Sequence, residues 1–352
     1  MNFASDNNSG VCPAVLDALV AEAGEFGAAY GADRRSGDLV ARLCELFETD
    51  IRLYCVPTGT AANSLALAAV NPSWGAVLCS DRGHIVADEC AAPTVIGAGL
   101  TLLPQPSDHG KLSAYAIERF LAERHDTGVH SIAVTSVSVA QVTEMGTRYS
   151  PAELSELCEI AHSRDMAVHL DGARFANAVA ASGCSPADLS WRSGVDIMSL
   201  GATKGGALGA EAVIVFDTDR VRDDIGRLRK RTGHLLSKLR FTAAQFVGWL
   251  DGDMWLELAT HANAMAARLA DGLQANHARL SHRVDANMVF AWLDQSTIAA
   301  LTDAGATFYK ESPIADQQGR IEVRLVTSWS TTTEDVDRFV AVVSHSQPKA
   351  QA

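Results

Sequence analysis

Six short apolar runs, at 53–56, 76–79, 132–135, 167–170, 197–200 and 212–216, punctuate the first two-thirds of the chain. Each is bounded by polar or glycine residues, and none alternates apolar with polar. Runs of this kind belong to strands buried on both faces. Between several of them lie stretches with helical spacing, notably 116–123 and 151–163, the latter opened by Ser150-Pro151 with Glu153 in its first turn. Strands separated by helices predict an α/β fold with a mostly parallel sheet covered on both sides. Upstream, 13–22 reads as a helix with Pro13 in its first turn. Ser36 reads as the N-cap of a second helix over 38–48, where Leu39, Leu43, Leu46 and Phe47 share a face.

The character changes after residue 216. A charged helix is expected over 219–231, a more apolar one over 235–250 and a long amphipathic one over 255–274. Strand-like runs at 288–293 and 321–326 and a closing helix near 334–344 complete an α+β end-piece. The prediction is a large domain over 1–245, including an N-terminal arm, and a smaller C-terminal domain over 246–352. With 47% apolar residues in 352, there is ample material for both cores.

A net charge of −13 argues against a nucleic-acid surface. No apolar run approaches the ~18 residues of a membrane span, and the start carries no basic, apolar leader. The seven cysteines are odd in number, never spaced Cys-x-x-Cys, and several (Cys55, Cys79, Cys158) sit within apolar segments. That pattern fits reduced cysteines in a cytoplasmic protein.

Two polar residues at strand ends carry the chemistry. Asp171 closes Val168-His169-Leu170-Asp171-Gly172-Ala173-Arg174, and Lys204 follows Ser199-Leu200-Gly201-Ala202-Thr203. A carboxylate ending one strand and a lysine just past the next suit pyridoxal 5'-phosphate (PLP). The acid keeps the pyridine nitrogen protonated and the amine forms a Schiff base with the aldehyde. Upstream, Thr58-Gly59-Thr60 joins an apolar run to a helix-like stretch, a junction whose free N–H groups and dipole attract a phosphate. Cup, acid and lysine follow the chain order of fold-type I PLP enzymes.

Other residues admit two readings. Arg174 suits bidentate binding of a substrate carboxylate or a surface salt bridge. Arg324 interrupts an apolar strand and needs either a neighbouring acid or a substrate carboxylate. His84, just past the run ending at Cys79, is a loop histidine or a group stacked on a cofactor ring, and Glu89 is placed to orient it or to bridge subunits. His169 reads as packed rather than metal-binding, since no further ligand spacing accompanies it. Gly97-Ala98-Gly99 lacks the third glycine and following helix of a dinucleotide loop.

These segments resemble the low-specificity L-threonine aldolase family, in the β-eliminating lyase group of fold-type I PLP enzymes. The resemblance spans most of the chain. It runs through Ser5-Asp6-Asn7, Tyr30-Gly31-Ala32-Asp33, Thr58-Gly59-Thr60-Ala61-Ala62-Asn63, Asp171-Gly172-Ala173-Arg174, Thr203-Lys204 and Arg229-Lys230-Arg231-Thr232-Gly233-His234. It implies reversible cleavage of L-threonine, L-allo-threonine or relatives such as phenylserine to glycine and an aldehyde. The alternative is β-elimination from another amino acid. Lys204 would hold PLP, Asp171 its ring nitrogen, and Gly59 with Thr60 its phosphate, while His84 would stack on the ring. Ser5, Arg174 and Arg324 would bind the substrate carboxylate. Lys230 or Arg229 would reach the phosphate region, in a homodimer or tetramer with sites between subunits. Many members carry Asn-Thr-His before the middle glycine; this chain has Ser138-Val139-Ala140-Gln141-Val142-Thr143-Glu144-Met145-Gly146. That departure leaves His84 or a water as the base.

Overall fold

The computed structural model describes residues 1–216, 219–311 and 314–346. Its main sheet has seven strands: β1 (Arg52–Val56), β2 (Gly75–Ser80), β3 (Thr101–Gln105), β4 (Ala133–Ala140), β5 (Ala167–Gly172), β6 (Ile197–Gly201) and β7 (Glu211–Val215). They lie in the order β1-β7-β6-β5-β4-β2-β3. The β3-β2-β4-β5-β6 block is parallel, and β7 runs antiparallel to β6 and β1. Every residue of β2, β5, β6 and β7 is buried, as apolar runs without alternation require.

The six expected strands are present. The run at 132–135 extends to Ala140 because its serines find partners: Ser136 Oγ donates to Asn71 Oδ1 at 3.0 Å, and Ser138 Oγ bonds His169 Nδ1 at 2.9 Å. β3 was not expected; it is a half-buried edge strand carrying Pro104, where a missing N–H is tolerated. Gly97-Ala98-Gly99 leads from the helix Ala92–Ile96 into β3, the reverse of the strand-to-helix order a dinucleotide loop needs.

Two helices are shorter than expected. The charged one spans only Ile225–Arg231, because Arg222 N–H donates to Ala69 O at 3.0 Å and Asp223 pairs with Arg52 at 2.8 Å. The next begins at Arg240 rather than 235, since Ser237 O accepts the Tyr30 N–H.

A second, antiparallel sheet contains β8 (Arg279–Leu280), β9 (Met288–Asp294), β10 (Tyr309–Lys310) and β11 (Arg320–Val326), ordered β10-β11-β9-β8. Its core joins Leu269, Leu301, Val323 and Phe339, while Trp249 and Trp255 pack in the core of the large sheet. The first core keeps Val247, Trp249, Trp255 and Ala259, so the proposed division near residue 245 rests on the second core alone, which draws all its buried members but one from beyond it. The exception is Phe3, which the sequence reading grouped with the large domain. Its N–H donates to Thr307 O and its carbonyl accepts from Val326 N–H, each at 2.8 Å. The arm therefore adds to the second sheet before crossing to the first.

Candidate active site

The carboxyl ends of the parallel strands meet the start of the helix Gly59–Val70. Ligands gather at this edge of open α/β sheets. Thr58 caps the helix, its Oγ1 accepting the Ala61 N–H at 3.2 Å. Among the described residues, the N–H groups of Gly59 and Thr60 have no protein acceptor. Two free donors at the positive end of a 12-residue helix make an anion cradle.

Asp171, next to last in β5, faces Ser199 of β6 and Ala140 of β4 in register. Its Oδ1 accepts from Ala173 N–H at 2.9 Å and its Oδ2 from Asn63 Nδ2 at 2.7 Å. Burial opposes its ionisation, but the charges of Lys204 and His84 outweigh this and hold the carboxyl below its ordinary range. Lys204 lies in the turn Thr203–Gly205 just past β6. Burial and the nearby Arg174 charge push its amine down, with Asp6, Asp171 and Glu211 opposing. An amine so placed loses its proton readily, as a nucleophile must.

His84 opens the short helix His84–Ala87. Its Nδ1 pairs with Glu89 at 2.8 Å, and that bond is the main cause of its raised pKa. His169 is fully buried between Ser138 and Ser199, and burial pushes it down to about 4, so it stays neutral.

At the mouth, Arg174 Nε and Nη2 donate to Asp6 at 2.7 and 2.9 Å, and Asn287 Nδ2 also donates to Asp6 at 3.0 Å. The salt bridge weighed from the sequence exists, but buried and with a partner 168 residues away. Arg324 stacks over Tyr309 at 5.3 Å, with its Nη2 3.5 Å from Ala4 O. Ser5 caps the Asp6–Asn8 turn beside them. Arg174, Arg324 and Ser5 thus line one cleft together with His84 and Lys204.

The inner cleft is lined by Gly59, Asn63, His84, Asp171, Arg174 and Lys204, among others. Free cradle N–H groups, an ionised buried acid and a lysine of lowered pKa form a donor set that fits PLP. The beta-eliminating lyase family matches residues 2–296 of the chain. The chain belongs to that family.

Its relatives within the family are near in length. A low specificity L-threonine aldolase of Pseudomonas aeruginosa is 39% identical over 95% of this chain and 94% of its own. One from Pseudomonas sp. (strain NCIMB 10558) is 36% identical over 96% of both. The threonine aldolase of Leishmania major superposes with a TM-score of 0.92 at 29% identity, covering 98% of each chain. A structure of SPT with PLP, 17% identical, matches at 0.68 over 98% of this chain and 87% of that one. The last likeness speaks to fold alone, the fold-type I architecture.

The beta-eliminating lyase cleft contains all but one of the sequence-predicted site residues or their cradle. Lys230 stands apart, exposed, its Nζ 4.9 Å above the Tyr30 ring. Arg229, the alternative, is buried, and its Nη1 donates to Cys55 O at 3.1 Å. Sequence reasoning missed the Asn63 bridge, the Asp6 anchor, and two glutamates that burial pushes up to about 7, Glu144 and Glu211. A carboxylate four residues past the end of β4 was the only signal for Glu144. Glu211 left a fainter one, an acid at the head of an apolar run.

Proposed function

We propose that the chain is a PLP-dependent aldolase. It reversibly cleaves L-threonine, L-allo-threonine or related β-hydroxy-α-amino acids such as phenylserine to glycine and an aldehyde. One observation carries this reading: Asp171, Lys204 and Arg174 line the inner cleft, and Lys204 and Arg174 also line its mouth, together with Arg324. The Pseudomonas and Leishmania relatives, named for threonine aldolase activity, support it.

Bound in the cleft, PLP supplies a pyridinium that draws electrons from a bond broken at the substrate's Cα. Asp171, kept ionised, would hold the ring nitrogen's proton. Gly59 and Thr60 would bind the phosphate through their N–H groups, with Thr58 fixing the helix start. Lys204, its pKa lowered by burial, would hold the cofactor aldehyde. Ser5, Arg174 and Arg324 bind the substrate carboxylate, and the Asp6 anchor fixes the plane of the Arg174 fork. With amine and carboxylate held, the substrate would keep only rotation about one bond. His84, oriented by Glu89, would stack on the ring.

A homodimer or tetramer with sites completed at the interface is part of the proposal. Leu16 and Val20, one helical turn apart, are 53% and 67% exposed, and Leu208, four residues past Lys204, is 65% exposed. Lys230 then belongs to the phosphate region of a partner's site. The seven free cysteines support a cytoplasmic location.

The test is product analysis with the PLP-loaded protein on threonine, allo-threonine and phenylserine, with its mass measured by light scattering. Equimolar glycine and aldehyde are expected. Ammonia with a keto acid would replace the reading by β-elimination.

A further inference from the structure

We propose that the carboxylate of Glu144 is the base that takes the proton from the substrate's β-hydroxyl group. The inference rests on the aldolase reading above and adds the residue that reading lacks.

Position comes first. Glu144 lies in the loop after β4, and its Oε1 accepts the His84 N–H at 2.7 Å. The side chain borders the inner cleft beside Asp171 and Lys204, and the mouth beside Arg174 and Arg324. A substrate held by its amine at Lys204 and its carboxylate at the arginines must place its third substituent between those two regions. The loop is firmly held: Thr143 N–H donates to Thr147 O at 2.8 Å, and Thr147 Oγ1 to His109 O at 2.7 Å. A base needs such rigid support to meet a proton in flight.

The other acids are engaged. Asp6 accepts from Arg174 and Asn287, and Asp171 from Asn63 and Ala173. Glu89 is shared between His84 and Asn63. Glu211 sits behind the phosphate cradle, 3.7 Å from where a Gly59 Cβ would stand. Asp81 and Asp88 are exposed, and Glu311 serves Arg324. Among the described residues, Glu144 is approached only by backbone N–H donors, those of His84 and of Glu144 itself. Glu144 lines both the inner cleft and its mouth. The His84 ring has its Nδ1 occupied by Glu89 at 2.8 Å, a bond that raises its proton affinity.

The proton affinity agrees with the geometry. Burial, then the nearby Asp171 charge, push Glu144 up to about 7, and the His84 N–H and ring oppose them. Arg174 also feels its charge from the strand beside it. Beneath the loop, burial pushes Cys79 up to about 12 and Tyr149 higher, so neither competes near neutrality. A base with this affinity is matched to neutral pH.

The step balances without a further reactant. The O–H proton passes to Glu144, and the O–H electron pair becomes the second bond of the aldehyde. The Cα–Cβ pair stays with the glycine fragment, which is closed by a proton at Cα.

The test compares wild-type protein with Glu144→Gln and Glu144→Asp, all PLP-loaded. For Glu144→Gln, kcat for threonine cleavage should fall about 100-fold or more, with partial recovery in Glu144→Asp. Exchange of the glycine Cα proton with D₂O involves no hydroxyl and should stay within about threefold of wild type. An infrared titration of the cofactor-free protein should show carboxyl signal changing near pH 7 from Glu144 and Glu211, and Glu144→Gln should lose one share. Unimpaired threonine cleavage by Glu144→Gln overturns the proposal, as does an equal loss of cleavage and glycine exchange, which would mark a positioning role. If the wild-type protein releases no glycine from any β-hydroxy amino acid, the aldolase reading falls first and takes this inference with it.

Discussion

Asp6 grips Arg174 through two hydrogen bonds, at 2.7 and 2.9 Å, from a turn of the N-terminal arm to the end of β5. Both side chains are buried, at 1% and 12% exposure, and the pair leaves Nη1 of Arg174 for a ligand. Asp6→Ala strands a buried guanidinium, which costs about 3 kcal/mol of stability. KM for the amino-acid substrate should rise more than kcat falls, because the lost contact orients the carboxylate. A denaturant titration and steady-state kinetics measure the two effects.

Asn63 holds two carboxylates together, donating to Glu89 Oε1 and Asp171 Oδ2 at 2.7 Å each. Without it, Asp171 loses a charge-assisted bond while keeping its like-charged neighbour. A hydrogen bond to a charged group contributes about 1.5–3 kcal/mol. Asn63→Ala should therefore weaken PLP binding by about ten- to a hundredfold, read from a cofactor titration.

Lys204→Ala should remove covalent attachment of PLP while leaving the fold. After borohydride reduction, the mass of the wild-type protein rises by one cofactor and that of the variant does not. A variant that still carries the added mass would place the attachment on another lysine.

His169 makes a pH prediction. Its pKa is near 4 when folded against an ordinary 6.5. Between these values the unfolded chain binds a proton that the folded one does not, so stability rises with pH across the window and is lost on acidification. The full swing is about 3 kcal/mol. Glu144 and Glu211, raised from 4.5 to about 7, act in the opposite sense. The comparison that isolates His169 is therefore wild type against His169→Gln, by urea denaturation at each pH; the variant's curve should lack this rise.

Gly172 follows Asp171 where no side chain has space. A Cβ there would stand 2.4 Å from Met198 Cε and 2.6 Å from the backbone carbonyl of Ser199. Gly172→Ala should cost about 1–3 kcal/mol through strain between β5 and β6. Thermal melting reads the loss, and PLP affinity should fall with it because Asp171 shifts.

What the sequence disclosed and what it hid follow a physical divide. Asp171, Lys204 and the Thr58 cradle were legible because each sits at the end of a strand or the start of a helix, where local pattern sets position. β7 was visible as a strand, but an apolar run carries no sign of direction, and its antiparallel course appears only in the pairing. β3 escaped because Pro104 and partial exposure weaken the pattern of an edge strand. Arg174 was identified without its partner, since no local rule connects it to Asp6. Glu144 and Glu211 were overlooked because their behaviour depends on burial by segments distant in the chain.

The threading of the arm makes the mouth depend on both ends of the chain. The cofactor half of the cleft draws on residues 58–211, whereas the carboxylate half needs Asp6 brought to Arg174, with Asn287 and Arg324 closing around it. Asp6 and Arg174 both precede Glu211, but Asn287 and Arg324 reach that pair from the second sheet and the loop before it, so a chain cut before residue 287 would lack half of the groups gathered at the mouth.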